Sequence, residues 1–437
     1  MLIGCISGPD LLSAEEQIGK ANLACAGAEL RVDLLEEGID LKRLLGQIQG
    51  ISILTADNPD LLSLEPDYLL VSWDHPERFL SSKTKIIRAY HNYEETPENL
   101  EEILEGMPSA DLYKIVTRAR STLDGIRMGI FAKERPEVIG FCMGEEGEFT
   151  RVLPPLLESP FNFAPMGDPV APGQLSLHEL EVVYNYSRLN PETRLYALIG
   201  DPVEQSPSHW THNGFFHDHD IDALYVKLRI QPGELARFLK LAPQLGILGV
   251  SVTCPYKETI LPYIDEWEGE AKEIGAVNTV TFASGKIYGA NTDAKGALDA
   301  IEKKQLVSGC RVVILGAGGA ARAISYEAKK RGAQVRILNR SVDRAEVLGD
   351  ELGVPFGSLD DLEGYEILVN TTSSPFPVDL EKIQKNTLVM DVGFNRDNSP
   401  LIQKANELGC MIVLGEEMFR RQAAGQFARW LSSPVTL

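Results

Sequence analysis

Two lysines stand where burial works against their charge. Lys114 lies in LYKIVT between apolar neighbours on a presumed inner strand, where desolvation disfavours the ammonium form. A neutral amine there can attack a ketone to form an imine, and His91, which ends the apolar run KIIRAYH, is a fitting proton carrier beside it. Taken singly, each has a plainer explanation: a snorkelling edge lysine and a satisfied core histidine. Lys257 in SVTCPYKE and Asp293 in GANTDAKG are each set among small polar and apolar residues. A lysine and a carboxylate converging on one hydroxyl can relay its proton while hydride leaves the adjacent carbon, and a surface salt bridge is the alternative. In AELRVDLL, Glu29, Arg31 and Asp33 are two apart, so on a strand they point to one side and Leu30, Val32 and Leu34 to the other. Near the C-terminal end of a barrel strand such a trio suits a site; from this strand alone a structural ion cluster suits it equally.

A glycine-rich turn adds a different chemistry. VVILGAGGAARAI carries Gly316, Gly318 and, in the third position of the fingerprint, Ala321, on a strand, turn and helix of the kind that aims helix N–H groups at a pyrophosphate. The next strand, AQVRIL, ends in Asn339, Arg340 and Ser341, where an NAD site would offer an acid to the ribose. Arg340, helped by Arg344, would instead stack on adenine and pair with a 2'-phosphate, which favours NADP; a surface arginine is the alternative.

These residues need elements to hold them. The first 165 or so residues contain eight β-rich runs: LIGCI at 2, ELRVDL at 29, ISIL at 51, YLLVS at 68, KIIRAYH at 85, LYKIVT at 112, VIGFCM at 138 and FNFAP at 161. Helical segments such as SAEEQIGKANLACAGA separate most of them, which predicts a parallel sheet and, with eight units, a (β/α)8 barrel. ISILTADNPDLLSLEPDYLL leaves barely a dozen residues for a crossover, so the barrel is expected to be trimmed, with one or two helices reduced to loops. Ser176 with Glu179 three residues on predicts a capped helix that closes the barrel, and SRLNPETR predicts a linker near residue 190.

Composition narrows the partners. The 437 residues carry a formal net charge of -21, which repels phosphate backbones and anionic membranes, so neither nucleic acid nor a membrane is an expected partner. The chain has neither a membrane-length apolar run nor a signal-peptide start, and its six scattered cysteines lack a CxxC spacing. A cytoplasmic location with free thiols is expected. His209, His212, His217 and His219 crowd one stretch, but their spacing lacks a zinc pattern and a capped helix surface explains them, so no metal is expected.

The N-terminal motifs ELRVD, AYHNYEETP, the lysine of ADLYKI, the CMG and TR of FCMGEEGEFTR, and APGQLS, in this order, resemble type I 3-dehydroquinate dehydratase over about residues 1 to 188. The resemblance implies that Lys114 forms a Schiff base with the substrate ketone and that His91 is the general acid/base. It further implies that Glu29 and Arg31 contact substrate hydroxyls, that Arg151 and Gln174 hold the carboxylate end, that Met143 lines the pocket, and that Ser7 assists at the end of the first strand. Three departures stand out. Ala56 takes the place of a family arginine, the glutamate that orients the histidine has no counterpart, and Val170 stands where many members have serine.

GDPVEQSPSHWTHN, GVSVTCPYKE, GAVNT, GANTD, GAGGAARA, NRS, VNTTSSP and GEEMFRRQAAGQFARW, in this order, resemble shikimate dehydrogenase over residues 195 to 431. This implies that Ser206 and Ser208 hold the substrate carboxylate, that Thr253, Asn278 and Gln422 contact ring hydroxyls, and that Lys257 and Asp293 are the catalytic pair. Gly316, Ala317, Gly318, Gly319, Ala320, Asn339, Arg340, Ser341, Arg344, Thr372, Val392 and Gly415 would surround NADP. Ser251 and Phe394 stand where many members have asparagine and tyrosine.

The expected fold class is therefore α/β: a trimmed (β/α)8 TIM-like barrel over 1–188, an α/β substrate domain over 195–295 completed by 416–437, and a Rossmann NADP-binding domain over 296–415. The expected function is dehydration of 3-dehydroquinate to 3-dehydroshikimate followed by reduction to shikimate with NADPH, acting on small molecules. Its rival is a shikimate or quinate dehydrogenase alone, carrying a catalytically degenerate barrel as scaffold.

Overall fold

The computed structural model describes residues 1–75, 83–204 and 206–431. Eight parallel strands open the chain: β1 (Leu2–Ile6), β2 (Gly27–Arg31), β3 (Ile51–Thr55), β4 (Tyr68–Ser72), β5 (Lys85–Asn92), β6 (Leu112–Arg118), β7 (Val138–Met143) and β8 (Asn162–Pro165). Their order, β7-β6-β5-β4-β3-β2-β1-β8, is that of a nearly closed barrel. Parallel strands covered on both faces read as near-continuous apolar runs, and β1 and β7 are buried throughout. Ile3, Ile53, Ile87, Ile139 and Phe161 fill the interior and leave the C-terminal strand ends for polar side chains.

Among the described residues the trimming falls at two crossovers. Between β3 and β4 the chain makes only the 3-10 turn Pro59–Leu64, capped by Asn58 and opened by a proline. Between β7 and β8 it makes the 3-10 turn Glu145–Arg151. The expected capping box holds: Ser176 accepts from Glu179 N and Glu179 bonds back, opening the Leu177–Val182 helix. One expectation fails locally. The second strand ends at Arg31, and Asp33 lies in the 3-10 turn Val32–Leu34, so the three charges do not share one strand.

A second sheet follows: β9 (Arg194–Gly200), β10 (Ala223–Arg229), β11 (Ile247–Val252), β12 (Glu266–Trp267), β13 (Thr279–Ala283) and β14 (Lys286–Ala290), in the order β10-β9-β11-β13-β14-β12. The third is parallel: β15 (Arg311–Leu315), β16 (Gln334–Leu338), β17 (Phe356–Gly357), β18 (Ile367–Asn370), β19 (Leu388–Asp391) and β20 (Met411–Leu414). Its order, β17-β16-β15-β18-β19-β20, is the doubly wound dinucleotide-binding order, whose ligand crevice opens beyond the ends of the two strands at the switch point, here β15 and β18.

The chain packs as two units, residues 1–197 with 207–247, and residues 198–206 with 248–437. Within the first, Thr122 Oγ1 donates to Arg229 O at 2.6 Å, and Arg229 reaches Glu146 at 3.4 Å. In the histidine-rich stretch His217 and His219 are exposed, as a helix surface requires, whereas His212 on the Ser208–Asp218 helix is buried and stacked on Tyr225 at 4.1 Å; His219, just past the helix, stacks on Phe215 at 4.0 Å.

Candidate active sites

At the barrel's C-terminal strand ends a cavity of about 340 Å³ is lined by Glu29, Arg31, His91, Lys114, Met143, Arg151 and Gln174. β6 is paired on both sides, so Lys114 sits beside Ala89 of β5 and Ile139 of β7 and points inward with them. It is buried, with its Nζ 3.6 Å from Glu29 Oε1 and 3.8 Å from the centre of the Phe163 ring. Glu29 is fixed from the neighbouring strands: Thr55 Oγ1 donates to Oε1 at 2.7 Å and Cys5 Sγ to Oε2 at 3.1 Å. Burial pushes its carboxyl upward, but Lys114 and the two hydrogen bonds outweigh that and hold it below its ordinary value. A buried lysine is thus kept beside a fixed carboxylate, at hand for proton exchange and for nucleophilic attack.

His91 lies two residues beyond Ala89 on the same strand face, and its ring stacks on Tyr93. Its surface meets solvent, yet desolvation of the ring first, then the charges of Lys114 and Arg31, lower its pKa to about 4. Because the folded value lies below the ordinary one, the imidazole is neutral at pH 6 and gains a proton only as pH falls through about 4. We expect nuclear magnetic resonance titration of the ligand-free protein to find His91 unprotonated at pH 5.5; a midpoint near 6.5 would contradict this environment.

Arg151 is 3% exposed, stacks on Phe141 at 4.2 Å, and has no hydrogen-bond acceptor for its Nε and Nη2. Burial lowers its pKa to about 10. A buried guanidinium with open donors facing a cavity is a built receptor for a carboxylate. Arg31 is committed differently, as a fork onto Asp33 at 2.9 and 2.6 Å. Ala56 does line the cavity, and among the described residues the cations lining it are Arg31, Lys114 and Arg151. Ser7 is a correction. It lies past the end of β1, its N–H donates to Gln17, and the side chain reaching the cavity is that of Cys5. The sequence reading missed Cys5 and Thr55. Period-two alternation carried to the ends of β1 and β3 points both inward.

The second constellation belongs to the other unit. Lys257, on the short Tyr256–Thr259 helix, meets Asp293, first residue of the Asp293–Glu302 helix, with Nζ 2.5 Å from Oδ2. Asn278 Nδ2 donates to Asp293 Oδ1 at 2.9 Å and lies 3.3 Å from Gln422 Oε1. Thr292, which sequence reasoning did not single out, ties this set together, donating its N–H to Asn278 Oδ1 at 2.8 Å. Thr253 N donates to Ile199 O at 2.9 Å. Ser251 donates to Gln426 Oε1 at 3.0 Å, and Gln426 donates in turn to Asn278 O at 3.1 Å, while Phe394 packs edge-on to Phe419. Ser206 donates its N–H to Val203 O, and Ser208 opens the Ser208–Asp218 helix, which lies in the first unit.

The dinucleotide turn is next to Lys257. Gly316 holds φ +116, where a β-carbon would lie 2.4 Å from Thr371 Oγ1, so only glycine fits. A β-carbon on Gly319 would lie 2.9 Å from Lys257 Cβ, so the start of the Gly319–Lys330 helix packs on the lysine's stem. No side chain caps that helix at Gly318, which leaves the first-turn N–H groups of Gly319 and Ala320, after Ala317, for an anion. Thr372 and Val392 are anchored on Asn370, and Gly415 comes against Gly393 O. Asn339 Nδ2 donates to Ser341 O, and Arg340 and Arg344 enter no ion pair among the described residues. These residues fit a phosphorylated dinucleotide.

Fold and site together define an α/β chain with two centres, a lysine-bearing parallel barrel and a dinucleotide-type reductase. Residues 61–191 match the family model for type I 3-dehydroquinase, 198–280 the shikimate dehydrogenase substrate binding domain, and 299–411 shikimate / quinate 5-dehydrogenase. The shikimate biosynthesis protein AroDE of Chlamydia muridarum is 34% identical over 456 residues, spanning 98% of this chain and 94% of that one. The chloroplastic bifunctional 3-dehydroquinate dehydratase/shikimate dehydrogenase of Arabidopsis thaliana is 34% identical over 416 residues, spanning 86% and 69%. The crystal structure of the Thermus thermophilus shikimate 5-dehydrogenase in complex with NADP(H) and shikimate matches with TM-score 0.51 and 28% identity, covering 55% of this chain and 95% of that one. The chain belongs to the AroDE family of bifunctional 3-dehydroquinate dehydratase/shikimate dehydrogenases.

Proposed function

We propose that this protein converts 3-dehydroquinate to 3-dehydroshikimate at Lys114 and reduces that product to shikimate at the Lys257–Asp293 pair, using NADPH. The observation that carries the first half is the buried Lys114–Glu29 pair, which shares a cavity with His91 and the unfilled Arg151 donors. Lys114 Nζ, its proton passed to Glu29, attacks the ketone carbon, and water departs as the carbon–nitrogen double bond forms. His91 takes a proton from the carbon next to the imine and returns it to the departing hydroxyl, which leaves as water. A second water then splits the imine, releasing the enone and the free lysine. Arg151 and Gln174 hold the carboxylate, Glu29 and Arg31 orient ring hydroxyls, and Met143 closes the apolar wall. The scaffold alternative is not favoured, because the barrel keeps this whole constellation around one cavity.

In the reductase, bound NADPH would supply hydride to the ketone carbon. Lys257 gives the developing alkoxide its proton and recovers one through Asp293, while Asn278, held between Thr292 and Asp293, orients the carboxylate. Thr253 and Gln422 would meet ring hydroxyls, and Ser206 and Ser208 the carboxylate. Arg340 and Arg344 would hold the 2'-phosphate. This reading assigns residues 1–188 to the dehydratase, and 195–295 completed by 416–437, together with 296–415, to the reductase; 432–437 lie outside the described residues. A reducing cytoplasmic setting is supported by six free cysteines, and among the described residues no helix is long and apolar enough to cross a membrane.

Exchanging Arg340 for Asp should lower the kcat/KM preference for NADP over NAD by roughly 10- to 100-fold, the worth of one charged hydrogen-bonded contact. An unchanged ratio would remove Arg340 from the 2'-phosphate site. The test of the whole reading is direct: pure protein given 3-dehydroquinate and NADPH should yield shikimate with one NADPH consumed per molecule formed. Accumulation of 3-dehydroshikimate, or no NADPH oxidation, would overturn it.

A further inference from the structure

A cleft of about 690 Å³ runs along the Asp293–Glu302 and Gly415–Trp430 helices. The helices approach closely because Gly296 and Gly425 lack side chains: a β-carbon on Gly296 would sit 3.0 Å from Gln422 N, and one on Gly425 2.8 Å from Thr292 Cγ2. Besides Arg429, four cations line the cleft: Lys295 and Lys303 from one side, Arg420 and Arg421 from the other. None of the four enters an ion pair among the described residues. Arg421 Nε is buried and has no acceptor.

The carboxylates nearby do not answer this charge. Asp299 and Glu417 line the same cleft, but Asp299 accepts from Arg331 at 2.7 Å and Glu417 lies 3.5 Å from Lys304, neither of which lines it. Arg429, also in the lining, has its own partner in Glu268 at 3.2 Å. A chain of net charge -21 has carboxylates to spare, yet leaves four like charges gathered around one concavity. Like charges held this close repel, and a buried guanidinium N–H without an acceptor is destabilising, so the arrangement is completed by an anion from outside.

We propose that this cleft is a second ligand site on the reductase unit, taking a small metabolite that bears two or more phosphate groups. Planar guanidinium forks match phosphate oxygens two at a time, and lysines add point charges at the margin. The volume lies in the range of small-molecule sites. The strong net negative charge disfavours a nucleic acid as the source of those phosphates. Lys257, Asp293 and the Gly316–Ala320 turn do not line the cleft, so it is not the cofactor groove under another description.

The probe is inorganic pyrophosphate, titrated calorimetrically into the full chain with NADP saturating, so that the dinucleotide groove is filled, and with ionic strength held constant by sodium chloride. Binding is expected at submillimolar pyrophosphate, and K295S/K303S and R420S/R421S are each expected to weaken it at least tenfold. No heat beyond the chloride control, or an affinity unchanged in both double variants, would overturn the proposal. A second measurement needs no variant: in the wild-type chain, pyrophosphate should slow acetylation of Lys295 and Lys303 severalfold, read by peptide mass spectrometry. Equal labelling with and without the probe would also overturn it.

Discussion

Lys114→Ala is expected to lower dehydratase turnover by at least about a thousandfold while leaving shikimate oxidation with NADP within about twofold of wild type. On the proposed reading the amine is the group that becomes bonded to substrate, and among the described residues no other lysine lines the barrel cavity. The same change leaves Glu29 buried with its charge partner gone, which costs about 3–5 kcal/mol when a buried pair is broken from one side. Loss of activity could then be mistaken for loss of folding. The variant E29Q/K114M separates the two, because a neutral amide keeps the Thr55 and Cys5 neighbourhood without a stranded charge. It should melt closer to wild type than K114A and remain inactive as a dehydratase. Recovery of dehydration in that variant would remove Lys114 from the chemistry.

The second large effect lies in the other unit. Asp293→Asn keeps the size of a side chain that is 4% exposed and keeps an oxygen for Asn278, but takes away the carboxylate that Lys257 touches at 2.5 Å. Proton transfer by a positioned pair contributes roughly 10²–10⁴-fold, so kcat for shikimate oxidation should fall by that factor with little change in dehydratase rate. Stopped-flow absorbance of NADPH would read it. A rise in KM for shikimate alone, with kcat retained, would make Asp293 a binding residue and not part of a proton relay.

Much of this was legible before any coordinates. The eight apolar runs became the eight barrel strands, and the cramped segment between the third and fourth became a 3-10 turn instead of a helix, because too few residues were present for a full crossover. Lys257 and Asp293 were found through local motifs 36 residues apart and do meet. What escaped was set by events that local pattern does not record. The second strand stops at Arg31 because the backbone turns there, which carries Asp33 off the strand and onto Arg31 as its partner. Ser7 lies just past the end of β1, where Gln17 claims its backbone, and Cys5, two residues earlier on the strand, lines the cavity. Ser251, which stands where many members of the resembled family have asparagine, bonds to Gln426, 175 residues away in sequence, a partner that no local motif announces. Packing of residues 207–247 with the barrel unit rests on contacts such as Thr122 with Arg229, separated by 107 residues, which hydrophobic periodicity does not reveal.

The claim on which the account rests is that the barrel amine becomes covalently attached to its substrate. Incubating the full chain with 3-dehydroquinate, reducing with sodium borohydride, and digesting for mass spectrometry tests it in one experiment. The account predicts a stable mass increase confined to the peptide carrying Lys114 and absent when either substrate or borohydride is omitted. An unmodified Lys114 peptide after reduction, or an adduct on another lysine, would contradict it.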